Sequence, residues 1–550
     1  MNSYELPNEG LSTYLPEIEA AAKDWGECDI VNRMWHNDFT VWKDSPAEIT
    51  NRLGWLSITD QMREQLSSLQ EYSLEIKGAG FKHVVLLGMG GSSLGPEVLK
   101  QTFPNALGYP ELIVLDSTVP SQIGNVTKKI DPGHTLFIVS SKSGSTIEPL
   151  CLEIYFRDIV AQTVGKELVH NHFITITDPG TQLAKRYESG EFRKAFLNSP
   201  TIGGRFSVLS FFGLVPAALI GLDVSMLLDR ADHMRGLCSL LSYNHENPGV
   251  WLGITMGTMA QLGRDKLTVI TSPSISSFGL WVEQLIAEST GKDGVGIIPI
   301  AGEPIVDTAC YRGDRFFVVL RLDEDNNTAL DEFIAYLKDD QQPFVVLELK
   351  DKYDLGAEFF RWEFATAVAG AVLGIHPFDQ PNVQQAKDAT NMVLQQYEET
   401  GKAPHIETKG SLHDLLAGAK ENDYLAIMAY IDEHPLANKL IENFRKIVVE
   451  QYCLPTTFGY GPRYLHSTGQ LHKGGPNTGL FLQITSTHDN DIPIPGKSYT
   501  FGVLADAQAH GDLQALQSAG RRTISIRLDE TDKLGISKLI GELIKHEEIE

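Results

Sequence analysis

Cysteine is scarce in this chain: five among 550 residues, at positions 28, 151, 238, 310 and 453, with no CxxC pair. That excludes a disulfide framework and a cysteine-built zinc site, and it reads as reduced thiols in a cytosolic protein. Positive charge is also short. Lys and Arg number 46 against 71 Asp and Glu, a net charge of −25. Nucleic acid and anionic membrane surfaces are therefore poor partners. Any anionic substrate must meet a local positive site inside an acidic shell. Long apolar runs are missing as well. The most apolar helical stretch, Ser207 to Leu222, is too short for a membrane span and contains Pro216. The first residues, Met-Asn-Ser-Tyr-Glu-Leu-Pro, lack a signal peptide's basic and apolar regions, and low-complexity segments are absent. No P-loop pattern occurs, which disfavours nucleotide hydrolysis. The length suits two or three domains.

What is present is a pair of glycine- and serine-rich loops, each directly after an apolar strand. Gly88-Met89-Gly90-Gly91-Ser92-Ser93 follows Val84-Val85-Leu86-Leu87, and Ser140-Ser141-Lys142-Ser143-Gly144-Ser145-Thr146 follows Leu136-Phe137-Ile138-Val139. Glycines let the backbone approach a ligand, and hydroxyls with free helix N-terminal amides suit a phosphate. The first loop also matches half of a dinucleotide fingerprint, with Asp116 where a ribose-binding acid would sit, but Ser93 stands at the third glycine position. The second loop favours a compact phosphate over a pyrophosphate. Its bland alternative is a serine-rich turn with Ser145 capping the next helix.

Around these loops the hydrophobic pattern alternates between strand and helix, the signature of a doubly wound parallel sheet. Residues 1–75 read as amphipathic helices with tryptophans at 25, 35, 42 and 55. Strands are expected at 84–88, 112–116, 135–140 and 172–177, a helical patch over 206–262, and further strands at 267–271, 296–300, 315–322 and 343–349. Helices are expected at 277–290, 357–373 and 382–398. After a boundary near 398–404, helices at 411–418 and 422–449 precede strands at 479–485, 499–505 and 521–528. The division is a helical 1–75, α/β units over 76–240 and 241–400, and a smaller α/β region over 401–550.

Four further segments carry chemistry-bearing residues. In Phe278 to Glu288, at about 100° per residue, Trp281, Gln284, Leu285 and Glu288 share one face and Glu283 points to solvent on the other. A carboxylate among Trp281 and Leu285 suits a general base beside a carbonyl; the alternative is a solvated helix end at Thr290-Gly291. Gly203-Gly204-Arg205-Phe206-Ser207 holds an arginine that could face a developing enediolate, with Ser207 as a helix cap; the alternative is a surface arginine. From Phe378 to Lys387, with Pro381 at a helix start, Gln380, Val383 and Lys387 share a face. Tyr464 to Gly475 is dense in polar groups, but the spacing of His466 and His472 fits no zinc site.

Together these segments resemble the phosphoglucose isomerase family. The matching pieces are Gly-Gly-Ser-Ser-Leu-Gly-Pro (90–96), Ser-Lys-Ser-Gly-Ser-Thr (141–146), Ile-Gly-Gly-Arg-Phe-Ser (202–207), Gln-Leu-Ile-Ala-Glu-Ser-Thr-Gly-Lys (284–292), Phe-Asp-Gln-Pro-Asn-Val through Lys387, and Leu-His-Ser-Thr-Gly-Gln (465–470). The resemblance covers roughly 75–400 well and the rest piecemeal. It is nearest to the isomerase part of bacterial transaldolase–isomerase fusions, and no transaldolase half is recognisable. It implies three-layer αβα domains of the sugar-isomerase (SIS) type with mainly parallel sheets. It further implies a cytoplasmic enzyme converting glucose 6-phosphate and fructose 6-phosphate without metal or cofactor. The rivals are an isomerase for mannose 6-phosphate or an amino-sugar phosphate, and a sugar-phosphate sensor without turnover.

By that resemblance Ser141, Lys142, Ser143 and Thr146 hold the phosphate, Gly91 and Ser92 line the sugar site, and Gln284 and Gln380 orient the substrate. Glu288 moves the proton between C2 and C1 through a cis-enediol, and Arg205 stabilises the enediolate. Lys387 and His466 open the ring, one at the ring oxygen and the other at the anomeric hydroxyl. One feature departs from the family order. The histidine segment ordinarily lies between the glutamate and the lysine, whereas here it follows Lys387. Family members are usually homodimers in which this histidine enters from the neighbour; the rearrangement opens the way to a histidine supplied in cis.

Overall fold

The computed structural model describes residues 9–402, 410–529 and 535–545. Ala403 and Pro404 of the expected boundary lie outside them. The chain forms an α/β structure with three parallel sheets. The first has β1 (His83–Leu87), β2 (Glu111–Leu115), β3 (Thr135–Ser140), β4 (Phe173–Thr177) and β5 (Lys194–Leu197) in the order β2-β1-β3-β4-β5. The second has β6 (Lys266–Thr271), β7 (Ile298–Ala301), β8 (Arg315–Leu322) and β9 (Phe344–Leu349) in the order β7-β6-β8-β9. The third has β10 (Tyr424–Tyr430), β11 (Thr456–Tyr460), β12 (Gly479–Ser486) and β13 (Arg522–Leu528) in the order β11-β10-β12-β13. Near-continuous apolar runs build these strands because helices cover both faces, leaving no solvent side to enforce alternation.

In the first sheet β1 and β3 are neighbours whose outgoing connections leave toward opposite edges. Their carboxyl ends frame a crevice, the place where open α/β sheets bind ligands. The two glycine–serine loops emerge there side by side, and Ser140 Oγ donates to Ser92 O at 3.3 Å.

Two expectations at the C-terminal end are corrected. The helix expected over 422–449 is the strand β10 followed by a helix at Pro435–Tyr452. Tyr-Leu-Ala-Ile-Met-Ala-Tyr is buried throughout, so it carries no periodicity to separate strand from helix. The strand expected over 499–505 begins the helix Phe501–Ser518, whose start is fixed by Thr500 accepting from the Val503 amide. Short β5 and β11 escape the pattern altogether. The apolar patch over 206–262 divides into Phe211–Leu219, Val224–Cys238 and Pro248–Gln261. There Ser210, not Ser207, accepts from the helix amide.

The N-terminal region has helices at Leu15–Glu27, Ile30–Trp35 and Ile58–Gly78, and Trp35 with the tryptophans between the last two clamps it to the body. Trp42 donates to Ala367 O at 2.8 Å and packs edge-on against Phe378 at 5.0 Å. Trp55 packs against Phe206 at 5.3 Å, and Phe206 against Phe378 at 5.4 Å. This aromatic chain fixes the backbone beside Arg205 and Gln380. No helix among the described residues is long and apolar enough to cross a membrane.

Candidate active site

A cleft of about 1000 Å³ opens where the carboxyl ends of β1 and β3 meet the helix Phe278–Thr290, the segment 376–387 and the connection between β11 and β12. All of the expected site residues line it except Ser141, which is buried just behind and bonded to Thr146.

The first loop is packed backbone to backbone. Gly90 has φ +53°, and a Cβ there would lie 2.5 Å from His466 O; at Gly91 a Cβ would lie 2.0 Å from Gly204 O. Glycine is thus required for the loop to touch both the arginine and the histidine segments. Asp116 is not free for a ribose: Arg463 donates to both of its oxygens at 2.8 Å.

In the second loop Gly144 turns at φ +65° and Thr146 occupies the N-cap of the helix Ile147–Val164. Neither Thr146 nor Ser145 caps that helix. The Thr146 hydroxyl instead pairs with Ser141 Oγ at 3.0 Å, and the Ser143 and Ser145 hydroxyls pair at 2.9 Å. First-turn amides without a side-chain cap, four hydroxyls and a lysine make an anion cradle. Lys142 Nζ donates to Asp178. Burial pushes the Asp178 carboxyl up even with Lys142 and Arg52 opposing.

Glu288 and Arg205 form the floor. Arg205 Nη1 lies 3.1 Å from Glu288 Oε1, and the two side chains are 4% and 10% exposed. The guanidinium is held on its other sides by Ser289 Oγ at 2.8 Å, Pro377 O at 2.6 Å and Asp379 O at 3.0 Å. Gln284 Nε2 donates to Glu288 Oε2 at 3.1 Å and to His466 O at 2.7 Å, tying the glutamate helix to the histidine segment. The expectation that Glu283 faces solvent is corrected. It is buried against the third unit, near Arg445, and burial pushes its carboxyl up to about 8. The helix is enclosed on both sides, so it has no solvent face.

His466 Nε2 lies 2.8 Å from Glu148 Oε1 in the same chain. Burial would push the Glu148 carboxyl up, but the charge and hydrogen bond of His466, with help from Lys387, hold it below its usual range. Gln380 and Lys387 are exposed on the cleft rim. Their segment is anchored by Lys292, whose Nζ donates to His376 O, Asp379 O and Asp379 Oδ1 at 2.6–2.7 Å. Burial, then the charge of Arg205, draws that ammonium down to about 8.

Sequence reasoning passes over Glu148, Arg52 and Lys292. Glu148 follows the 141–146 loop by two residues and Lys292 ends the 284–292 segment, but the partners that give each its place, His466 and Asp379, lie far along the chain. Arg52 lines the cleft from the N-terminal segment and has no motif around it. Chemically, the arrangement offers an anion cradle, a buried carboxylate–guanidinium pair and a carboxylate-held imidazole around one space, enough for proton transfer on a small phosphorylated molecule.

Comparison with known proteins points the same way. A family model described as phosphoglucose isomerase matches residues 44–295, a span holding both loops, Arg205, Gln284 and Glu288. The chain is 30% identical over 374 residues to the glucose-6-phosphate isomerase of Rubrobacter xylanophilus, covering 60% of this chain and 86% of that one. It is 28% identical over 403 residues to the glucose-6-phosphate isomerase of Staphylococcus saprophyticus, covering 65% and 89%. A solved glucose-6-phosphate isomerase from Chlamydia trachomatis shares the fold with a TM-score of 0.59 at 19% identity, covering 70% of this chain and 86% of that one. Gln380, Lys387 and His466 lie beyond the matched span and reach the same cleft through the fold. With the relatives covered over most of their length and the loops, arginine and glutamate inside the match, the chain belongs to the phosphoglucose isomerase family.

Proposed function

We propose that this protein interconverts glucose 6-phosphate and fructose 6-phosphate. The observation that carries the reading is the enclosed Arg205–Glu288 pair, which shares one cleft with the cradle at 141–146 and with His466. The substrate phosphate sits against Ser141, Lys142, Ser143 and Thr146, with Gly91, Ser92, Gln284 and Gln380 around the sugar. Ring opening comes first. One of Lys387 and His466 gives a proton to the ring oxygen as the C1–O5 bond breaks, and the other takes the proton from the anomeric hydroxyl as the carbonyl forms. Glu288 then removes the C2 proton, the electron pair moves into the C1–C2 bond, and Arg205 steadies the negative oxygen of the cis-enediolate. A proton passes from O2 to O1. As the C2–O2 carbonyl forms, the electron pair of the C1–C2 double bond takes the proton back from Glu288 at C1, which completes the ketose. Fixed charges suffice for this electrostatic work, and Glu148 keeps His466 oriented.

A coupled assay of glucose 6-phosphate formation from fructose 6-phosphate tests the reading. Glu288→Gln keeps the shape and removes the base, so kcat is expected to fall about 100- to 10 000-fold while fructose 6-phosphate still binds. Turnover at the parent rate would remove Glu288 from the mechanism. Binding without turnover in the parent chain would leave a sensor.

A further inference from the structure

We propose that Gln508 is a positioning residue for ring opening, holding the Glu148 carboxylate that orients His466. This rests on the ring-opening role given to His466 above. Gln508 Nε2 donates to Glu148 Oε1 at 2.6 Å, the same oxygen that faces His466 Nε2 at 2.8 Å. At its other end Gln508 Oε1 accepts from Thr118 Oγ1 at 2.8 Å. The carboxylate, which only accepts, fixes which way the amide points: the NH2 faces Glu148, and the Thr118 hydroxyl then donates to the amide oxygen. Thr118, Gln508 and Glu148 are all buried, so water does not compete for these bonds.

The placement of Gln508 supports more than the filling of a gap. It lies on the helix Phe501–Ser518, which packs against the helix Val383–Thr400 that carries Lys387. One turn on, Asp512 pairs with Lys473 Nζ at 2.5 Å and accepts from Tyr464 Oη at 2.9 Å, and both partners flank His466 in the β11–β12 connection. Between them Gly511 lets the helix close on the one carrying Lys387: a Cβ at 511 would lie 2.8 Å from Thr390 N. Asp512 holds the helix in its own unit, and Gly511 seats it on the unit before. Gln508 reaches beyond both to Glu148, in the first turn of the helix that starts at the phosphate loop. A carboxylate oxygen taking two donors keeps one orientation. With the amide gone it can swing about its own side chain and carry the imidazole with it.

The test separates ring opening from isomerisation. In a Glu288→Gln background the C2 proton stays in place, so exchange between the α and β anomers of glucose 6-phosphate, read by NMR exchange spectroscopy, reports ring opening alone. Adding Gln508→Leu is expected to slow enzyme-dependent anomer exchange roughly ten- to hundredfold, the size of a lost hydrogen bond to a charged group, with the Kd for glucose 6-phosphate held. In the otherwise unmodified chain the same change should lower kcat and leave KM. Thr118→Val should act in the same direction but less. If His466→Asn abolishes anomer exchange while Gln508→Leu leaves it at the parent rate, the positioning role is overturned and the ring-opening role stands. If His466→Asn leaves exchange intact, both fall. Should Gln508→Leu not fold, as judged by melting, Gln508→Met and Thr118→Val carry the same test with the same outcomes.

Discussion

Lys142 shows how one residue can be ready for a ligand without standing bare. Its ammonium is matched by Asp178, a carboxylate that burial pushes up from its ordinary value. A dianionic phosphate entering the cradle competes for the same ammonium with a larger charge. Lys142→Ala is expected to raise the KM for fructose 6-phosphate roughly ten- to hundredfold with a smaller effect on kcat, measured in the coupled assay. Asp178→Asn should move KM the other way, because the ammonium loses its competitor. A KM indifferent to Lys142 would take the phosphate away from this loop.

The helix Phe278–Thr290 carries the site and also a cost. Glu288 and Gln284 face the cleft, while Glu283 is buried on the far side, its Oε1 without a hydrogen-bond partner among the described residues. Unfolded, that carboxyl ionises near its ordinary 4.5; folded, only at about 8. Between those values the folded state binds the extra proton, so this group's contribution to stability is full below about pH 4.5 and is lost as pH rises toward 8. Glu283→Gln has nothing to ionise. It should melt above the parent at pH 8, with the gap closing toward pH 5; a gap independent of pH would show that Glu283 is charged in the fold. Glu283 also shows where the sequence stopped being readable. The helical wheel separated Glu288 correctly but assumed a solvent side, and the covering surface comes from Arg445 and its neighbours in the third unit, far along the chain. The loops at 88–93 and 141–146 were legible because local strand–turn–helix chemistry defines them. Glu148, Arg52 and Gln508 were not, since each earns its place from contacts with residues distant in sequence. Residues 424–430 and 501–505 misled for another reason: fully buried segments have no period to read.

At the scale of the whole molecule, the third sheet is what would complete the proposed site within one chain. The β11–β12 connection brings His466 to the cleft that Glu288 enters from the helix after β6, both from one polypeptide. Chains carrying Glu288→Gln mixed with chains carrying His466→Ala should therefore regain no activity in the coupled assay. Recovery would mean that each site draws on two chains.

The closeness of Gln284 to the His466 carbonyl, 2.7 Å within one chain, has a consequence for dilution. A cleft completed by a neighbour empties as subunits separate, and specific activity then sags at nanomolar protein. Here the histidine is tethered by the same covalent backbone, so each molecule should turn over at an unchanged rate however far apart its companions are.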